Sequence, residues 1–167
     1  MIENGFDWQI DKIFELLAAV HAGTDYFAAQ FNDDFPCPTA LQDYLDRLGS
    51  LPGSQFLVAS DGDEGLGFLF VEPRAARKLQ HTADLTMGVV VEARSRGVGR
   101  ELLDTVFPLL QSEGVIENLY LMVRADNAPA RRLYENSGFA TLAILARDTK
   151  VGERYFDGVL MRKFLAD

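Results

Sequence analysis

The stretch Arg94-Ser95-Arg96-Gly97-Val98-Gly99 follows the apolar run Leu85 to Val91. A strand that enters a glycine-bearing turn and then a helix turns several backbone N–H groups toward one spot. The positive end of the helix dipole lies behind them, and the cradle suits a diphosphate. Gly97 and Gly99 let backbone approach phosphate oxygens with no Cβ in the way. The N–H groups of Ser95, Arg96, Gly97, Val98, Gly99 and Arg100 are the expected donors. Arg96 and Arg100 either add charge-assisted contacts or are solvated surface arginines. A second segment, Asn127 to Phe139, carries Tyr134 on a short capped helix. Its phenol, with an ordinary pKa of about 10, stays protonated at neutral pH and can act as a proton donor. The plainer alternative is a half-buried core aromatic. Asp84 opens the strand that leads to the glycine turn. It is either a base acting through water or a strand-end carboxylate paired with Arg74 or Arg77. His81, three residues earlier, is the other candidate base or a loop histidine.

The elements that must position these residues follow from periodicity. Phe6, Ile10, Ile13, Phe14, Leu17 and Val20 recur at helical spacing until Gly23. Residues 39–48 repeat the pattern through Leu41, Tyr44, Leu45 and Leu48, with a loop, Asn32 to Pro36, between the two. Gln55 to Ala59 and Gly65 to Val71 read as strands joined by the turn Asp61-Gly62-Asp63-Glu64. Arg74 to His81 reads as a basic loop. Asp84 to Val91 is strand-like. The helix at about 98–113 carries Val98, Leu102, Leu103, Val106, Phe107 and Leu110 on one face, and Pro108 inside it is expected to kink or split it. Leu119 to Val123 is a short strand. Asn127 caps the next helix, Pro129 suits its first turn, and Gly138 its stop. Thr141 to Ala146 and Tyr155 to Phe164 close the chain as a strand pair joined around Gly152. Interleaved helices and strands with hairpins at both ends imply a mixed α/β sheet with helices on both faces.

The chain has 167 residues, 48% apolar and 25% charged, with a formal charge of −9. This points to a single domain over 1–167. The negative surface disfavours nucleic acid and mildly favours a cationic amine. No apolar run is long enough for a membrane helix and the N-terminus lacks a leader pattern, which points to a cytoplasmic protein with no membrane partner. Cys37 is the sole cysteine, between Pro36 and Pro38. It reads as a loop thiol rather than a nucleophile. No metal site is expected. The fingerprints G-x-G-x-x-G and G-x-x-x-x-G-K-S/T are both missing.

Arg94-x-x-Gly97-x-Gly99 resembles the Q/R-x-x-G-x-G/A turn of the GCN5-related N-acetyltransferases, the GNAT superfamily. Asn127, Ala130, Leu133, Tyr134, Gly138 and Phe139 match that family's N-x-x-A-x-x-L-Y-x-x-x-G-F helix position by position. Ser95 stands where the family often has Gly, and Val91 where it often has Pro; Ser95 keeps its N–H. The resemblance covers about 55–164 and is most specific at 84–139. It implies a mostly antiparallel central sheet with a V-shaped splay between two parallel strands. It also implies acetyl-CoA as co-substrate. Met87, Gly88 and Val89 would pair with its pantetheine arm, residues 95–100 would hold its pyrophosphate, and Asn127 and Tyr134 would complete the cofactor site. Tyr134 becomes the donor to the departing thiolate. Asp84, in Ala83-Asp84-Leu85 where many members have Ala-Glu-Leu, becomes the base. Direct attack of an amine within a ternary complex is expected, with no acetyl-enzyme. The segment 77–99 is most similar to branches acting on small amines and free amino acids. The alternatives are acetylation of a protein lysine or N-terminus, and a catalytically silent acyl-CoA-binding module. Acceptor choice is expected to lie in loops 22–40, 72–82 and 147–156. The family's first strand has only Met1 to Gly5 available, so it is very short, missing, or supplied by another subunit. A homodimer is compatible with the pattern.

Overall fold

The computed structural model describes residues 1–165. Its strands are β1 (Ile2–Asn4), β2 (Gln55–Asp61), β3 (Glu64–Pro73), β4 (Thr82–Val89), β5 (Asn118–Arg124), β6 (Ala140–Val151) and β7 (Arg154–Phe164). They form one sheet in the order β1-β2-β3-β4-β5-β7-β6. Every neighbouring pair is antiparallel except β4 and β5, which run parallel. The helices are α1 (Ile10–Ala22), α2 (Phe31–Asp34), α3 (Pro38–Gly49), α4 (Val98–Glu113) and α5 (Ala128–Asn136). The expected mixed, mostly antiparallel sheet is therefore present.

Alternation along β4 assigns the two faces. A Cβ on Gly88 would strike Val20 of α1, whereas a Cβ on Gly67, the partner of Val89, would meet Val98 of α4 at 3.3 Å. Successive strand residues point to opposite faces, so α1 and α4 cover opposite sides. Helix α1 buries Ile13, Leu16, Leu17 and Val20; α4 buries Val98, Leu102, Leu103, Val106 and Leu110. Truncating one such leucine, Leu103 for example, costs about 2–5 kcal/mol. On the α1 face, the Tyr44 hydroxyl of α3 donates to Glu72 Oε1 of β3 at 2.6 Å. Burial, reinforced by the Glu72 charge, pushes the Tyr44 phenol up, so it stays the donor.

Of the alternatives for the first strand, the very short one is present, as three residues paired with β2. Three details differ from the sequence reading. The segment Asn32–Pro36 includes most of the one-turn helix α2, whose Phe31 is buried. A single 3₁₀ turn, Arg77–Leu79, interrupts the basic loop. Helix α4 runs unbroken through Pro108, because the proline lies on the solvent side, where water can take the carbonyl it leaves unbonded.

Candidate active site

Strands β4 and β5 are paired at only three rungs, Thr82↔Asn118, Ala83↔Leu119 and Asp84↔Tyr120. Beyond them β4 continues on β3 through Val89, and β5 continues on β7 through Arg124. The two strands thus diverge in mid-sheet as a fork. Hydrogen-bond parity shows which groups line it. Val90 N donates to Leu66 O and Arg74 N to Thr82 O, so the even residues of β4 bond toward β3. Leu85, Met87 and Val89 therefore turn their N–H groups toward the gap. Ala125 N donates to Asp157 O, and Leu165 N to Glu117 O, so the odd residues of β5 bond toward β7. Met122 and Arg124 then face the gap from the other side. Unpaired strand edges inside a sheet call for a partner.

The glycine turn lies at the tip of β4. Val91–Ala93 forms a 3₁₀ turn, and Ser95 (φ 59°) and Gly97 (φ 87°) both adopt left-handed backbone. Gly97 caps α4. The first N–H groups of a helix have no intrahelical partner, and the turn that leads into them, Arg94 to Gly97, is exposed. A Cβ on Gly97 would meet nothing within 4 Å. Gly99 is different: its Cβ would come 2.7 Å from Met87 Cε and 2.9 Å from Leu133 Cδ2, so its bareness lets α4, β4 and α5 close together. Arg100 is engaged by Asp104 at 2.8 Å. Arg96 is exposed, and no side-chain partner takes it among the described residues. Arg94 serves backbone: its Nε donates to Val89 O and its Nη2 to Gly23 O, both at 3.2 Å.

Tyr134 is only 7% exposed and packs edge-on against Phe139, with centroids 5.7 Å apart. Burial raises its phenol above the usual range. Among the described residues no protein group bonds its hydroxyl. Asn127 acts as the cap of α5, its Oδ1 accepting from Ala130 N at 3.3 Å. Asp84 occupies the last paired rung, at the apex of the fork. Arg74 grips both its oxygens, Nη2 to Oδ1 at 2.6 Å and Nε to Oδ2 at 3.0 Å, while lying 4.5 Å over the Tyr120 ring. Gly88 turns its amide toward β3, and its missing side chain makes room for Val20 and Phe27. His81 lies at the closed end of the paired rungs, where its carbonyl accepts from Glu117 and Asn118. Cys37 precedes α3 and is exposed. Met87, Val89, the 95–100 turn and Asp84 thus line one continuous feature. His81 and Cys37 lie apart from it.

Sequence reasoning missed Arg124, Asp25 and His21. The Arg124 side chain is 5% exposed, bonds Asp126 at 2.7 and 3.0 Å, and reaches Asp25 Oδ1 at 3.4 Å. It stacks on Phe156 at 3.7 Å and Tyr26 at 4.7 Å. An arginine ending an apolar strand two residues before an aspartate was the available signal. His21 Nδ1 donates to Leu17 O at 2.8 Å. Its ring stacks on Phe27 at 4.2 Å.

Comparison with known proteins reaches the same fold. A mycothiol acetyltransferase of Beutenbergia cavernae is 37% identical over 113 residues, 64% of this chain, and the match spans 36% of that protein. The L-amino acid N-acetyltransferase AaaT of Escherichia coli is 27% identical over 128 residues, covering 75% of this chain and 76% of that one. A GNAT superfamily phosphinothricin acetyltransferase of Sinorhizobium meliloti, solved with acetyl-CoA, superposes with a TM-score of 0.84 at 14% identity, covering 99% of this chain and 88% of that one. The model of the acetyltransferase (GNAT) family matches residues 20–139, which hold the fork, the glycine turn and the tyrosine helix. The chain belongs to the GNAT family of acetyltransferases.

Proposed function

We propose that the chain acts as one domain that transfers an acetyl group from acetyl-CoA to the primary amine of a small molecule or amino acid. The observation that carries the reading is the backbone-lined fork running straight into the Ser95–Arg100 turn. The N–H groups of Leu85, Met87 and Val89 suit the amides of an extended pantetheine arm, as an added strand suits a sheet edge. The turn, with open space over Gly97, suits the pyrophosphate. When bound, acetyl-CoA supplies the acetyl group as a thioester. The likeness to an L-amino acid N-acetyltransferase supports an amino acid as acceptor.

The protein's own groups then have distinct tasks. Met87 and Val89 orient, and residues 95–100 anchor. Asp84, at the apex, takes the proton of the incoming amine through water, and Arg74 holds its carboxylate in place. A free amine of pKa near 10.4 is almost wholly protonated at pH 7, so this acceptor matters. Tyr134 holds its proton at Oη for the sulfur that departs. Cys37 has no part, and no acetyl-enzyme forms.

The test is consumption of acetyl-CoA against a panel of amines, amino acids and peptides, with products identified by mass spectrometry. Selective acetylation of small amines or amino acids is expected. Turnover confined to peptides would overturn the acceptor assignment. No turnover with any acceptor, despite tight coenzyme A binding, would leave a silent binding module.

A further inference from the structure

The fork opens between two strand tips that the sheet does not join, yet one short segment touches both. Helix α1 ends at Ala22, and the chain runs on through Gly23, Thr24 and Asp25. Gly23 O accepts from Arg94, the same guanidinium that bonds Val89 O at the tip of β4. Two residues later, Asp25 O accepts from Arg124 Nη1 at 3.2 Å, and Asp25 Oδ1 faces the same atom at 3.4 Å. Arg124 is the last residue of β5. We propose that Gly23–Asp25 is a strap across the mouth of the fork, pinned by Arg94 on the β4 side and by Arg124 on the β5 side, and that these pins set how fast coenzyme A enters and leaves.

The side is defined. Arg124 shares a face with Tyr120, the rung partner of Asp84, and Gly88 on that face looks at Val20 and Phe27. The strap therefore covers the fork from the α1 side, while α4 covers the other. An extended ligand that starts at the Ser95–Arg100 turn and enters the fork must pass beneath it. The β5 pin is well built: a buried guanidinium held by Asp126 and packed on Tyr26 and Phe156 joins the strap, β5 and the β6–β7 hairpin. Lysine could not replace it, since one ammonium cannot reproduce the planar fork of donors. At the other end, a Cβ on Gly23 would come 2.6 Å from Val91 Cγ2, so the strap rests directly on the chain leaving β4. Arg94 and Arg124 are thus positioning residues.

This inference rests on the proposed binding of acetyl-CoA in the fork, and the test separates the two. Surface plasmon resonance with the full chain immobilised and coenzyme A as analyte gives both rate constants. Asp25→Ala with Tyr26→Ala loosens the β5 pin while leaving the Arg124–Asp126 pair; coenzyme A should dissociate at least fivefold faster. Gly23→Cys with Val91→Cys, in a Cys37→Ser background, ties the strap down at the other end. Oxidation should slow both rates at least tenfold, and reduction should restore them. Opposite, reversible effects are not what general destabilisation gives, and melting curves of each variant monitor it. If wild type binds coenzyme A and the loosened variant keeps wild-type rates, the strap is overturned, whether or not the crosslink forms. If wild type does not bind coenzyme A, the reading of the fork falls and the strap with it.

Discussion

Removing one oxygen from Tyr134 should separate catalysis from stability. In the free protein the phenol ring is buried, while its hydroxyl has no protein partner among the described residues. Tyr134→Phe therefore breaks no internal hydrogen bond, and its stability should stay within about 0.5 kcal/mol of wild type. The transition state is another matter. A hydrogen bond to a charged partner is worth about 1.5–3 kcal/mol, or roughly 10- to 150-fold in rate. Full proton transfer would give up to about 10⁴-fold. The ordinary values decide between these magnitudes: a phenol near about 10 lies above a thiol near about 8.5, so complete transfer is uphill by about 2 kcal/mol. The hydroxyl then acts chiefly as a donor to the developing thiolate, and kcat should fall by tens to about a hundredfold. Acetyl-CoA affinity should change far less. The assay is single-turnover release of coenzyme A alongside calorimetric melting. A rate within threefold of wild type, with chemistry limiting, would return Tyr134 to a packing role. A large drop in melting temperature would show that the hydroxyl is bonded in the free protein.

Other expectations can be checked alongside. Gly99→Val places methyl groups against Met87 and Leu133, the meeting point of α4, β4 and α5; calorimetry should show at least tenfold weaker coenzyme A binding in the folded variant. Arg124 holds the Asp126 carboxyl below its usual value, chiefly through their hydrogen bond. Its stabilising effect is complete above about pH 4 and fades as pH falls through the folded-state value. Asp126→Asn should therefore lower the melting temperature at pH 7 and flatten its decline below about pH 4. Cys37→Ser should keep full turnover and intersecting initial-rate plots, whereas Asp84→Asn should be slow at neutral pH and recover toward wild type as rising pH frees the amine; ping-pong kinetics or an unchanged profile would count against these assignments.

What could be read in advance was local. The glycine turn, the Asn127 cap and the apolar face of α4 depend on residues within a few positions of one another, and all appear where the spacing puts them. What could not be read was relational. That Arg74 clasps Asp84 is a choice between two nearby arginines that only the path of the loop decides. That Arg94 bonds the Gly23 carbonyl, 71 positions away, leaves no periodic trace. Arg124 lay within one residue of the expected strand end, and a buried guanidinium there becomes intelligible only once Asp25 and Phe156 arrive from distant segments. Gly88 was legible as part of a strand, but the parity of its amide needed the register of β3.

The central claim is that the fork and its adjoining turn hold acetyl-CoA. Titrating the isotope-labelled protein with coenzyme A and following backbone amide shifts by NMR tests it most directly. The account predicts that the largest shifts fall on Leu85, Met87 and Val89 and on Ser95 through Arg100, with Gly88, which bonds toward β3, moving less than its neighbours. Saturable shifts confined to another surface, such as the groove lined by Phe6, Leu51, Gly53 and Val115, would contradict it.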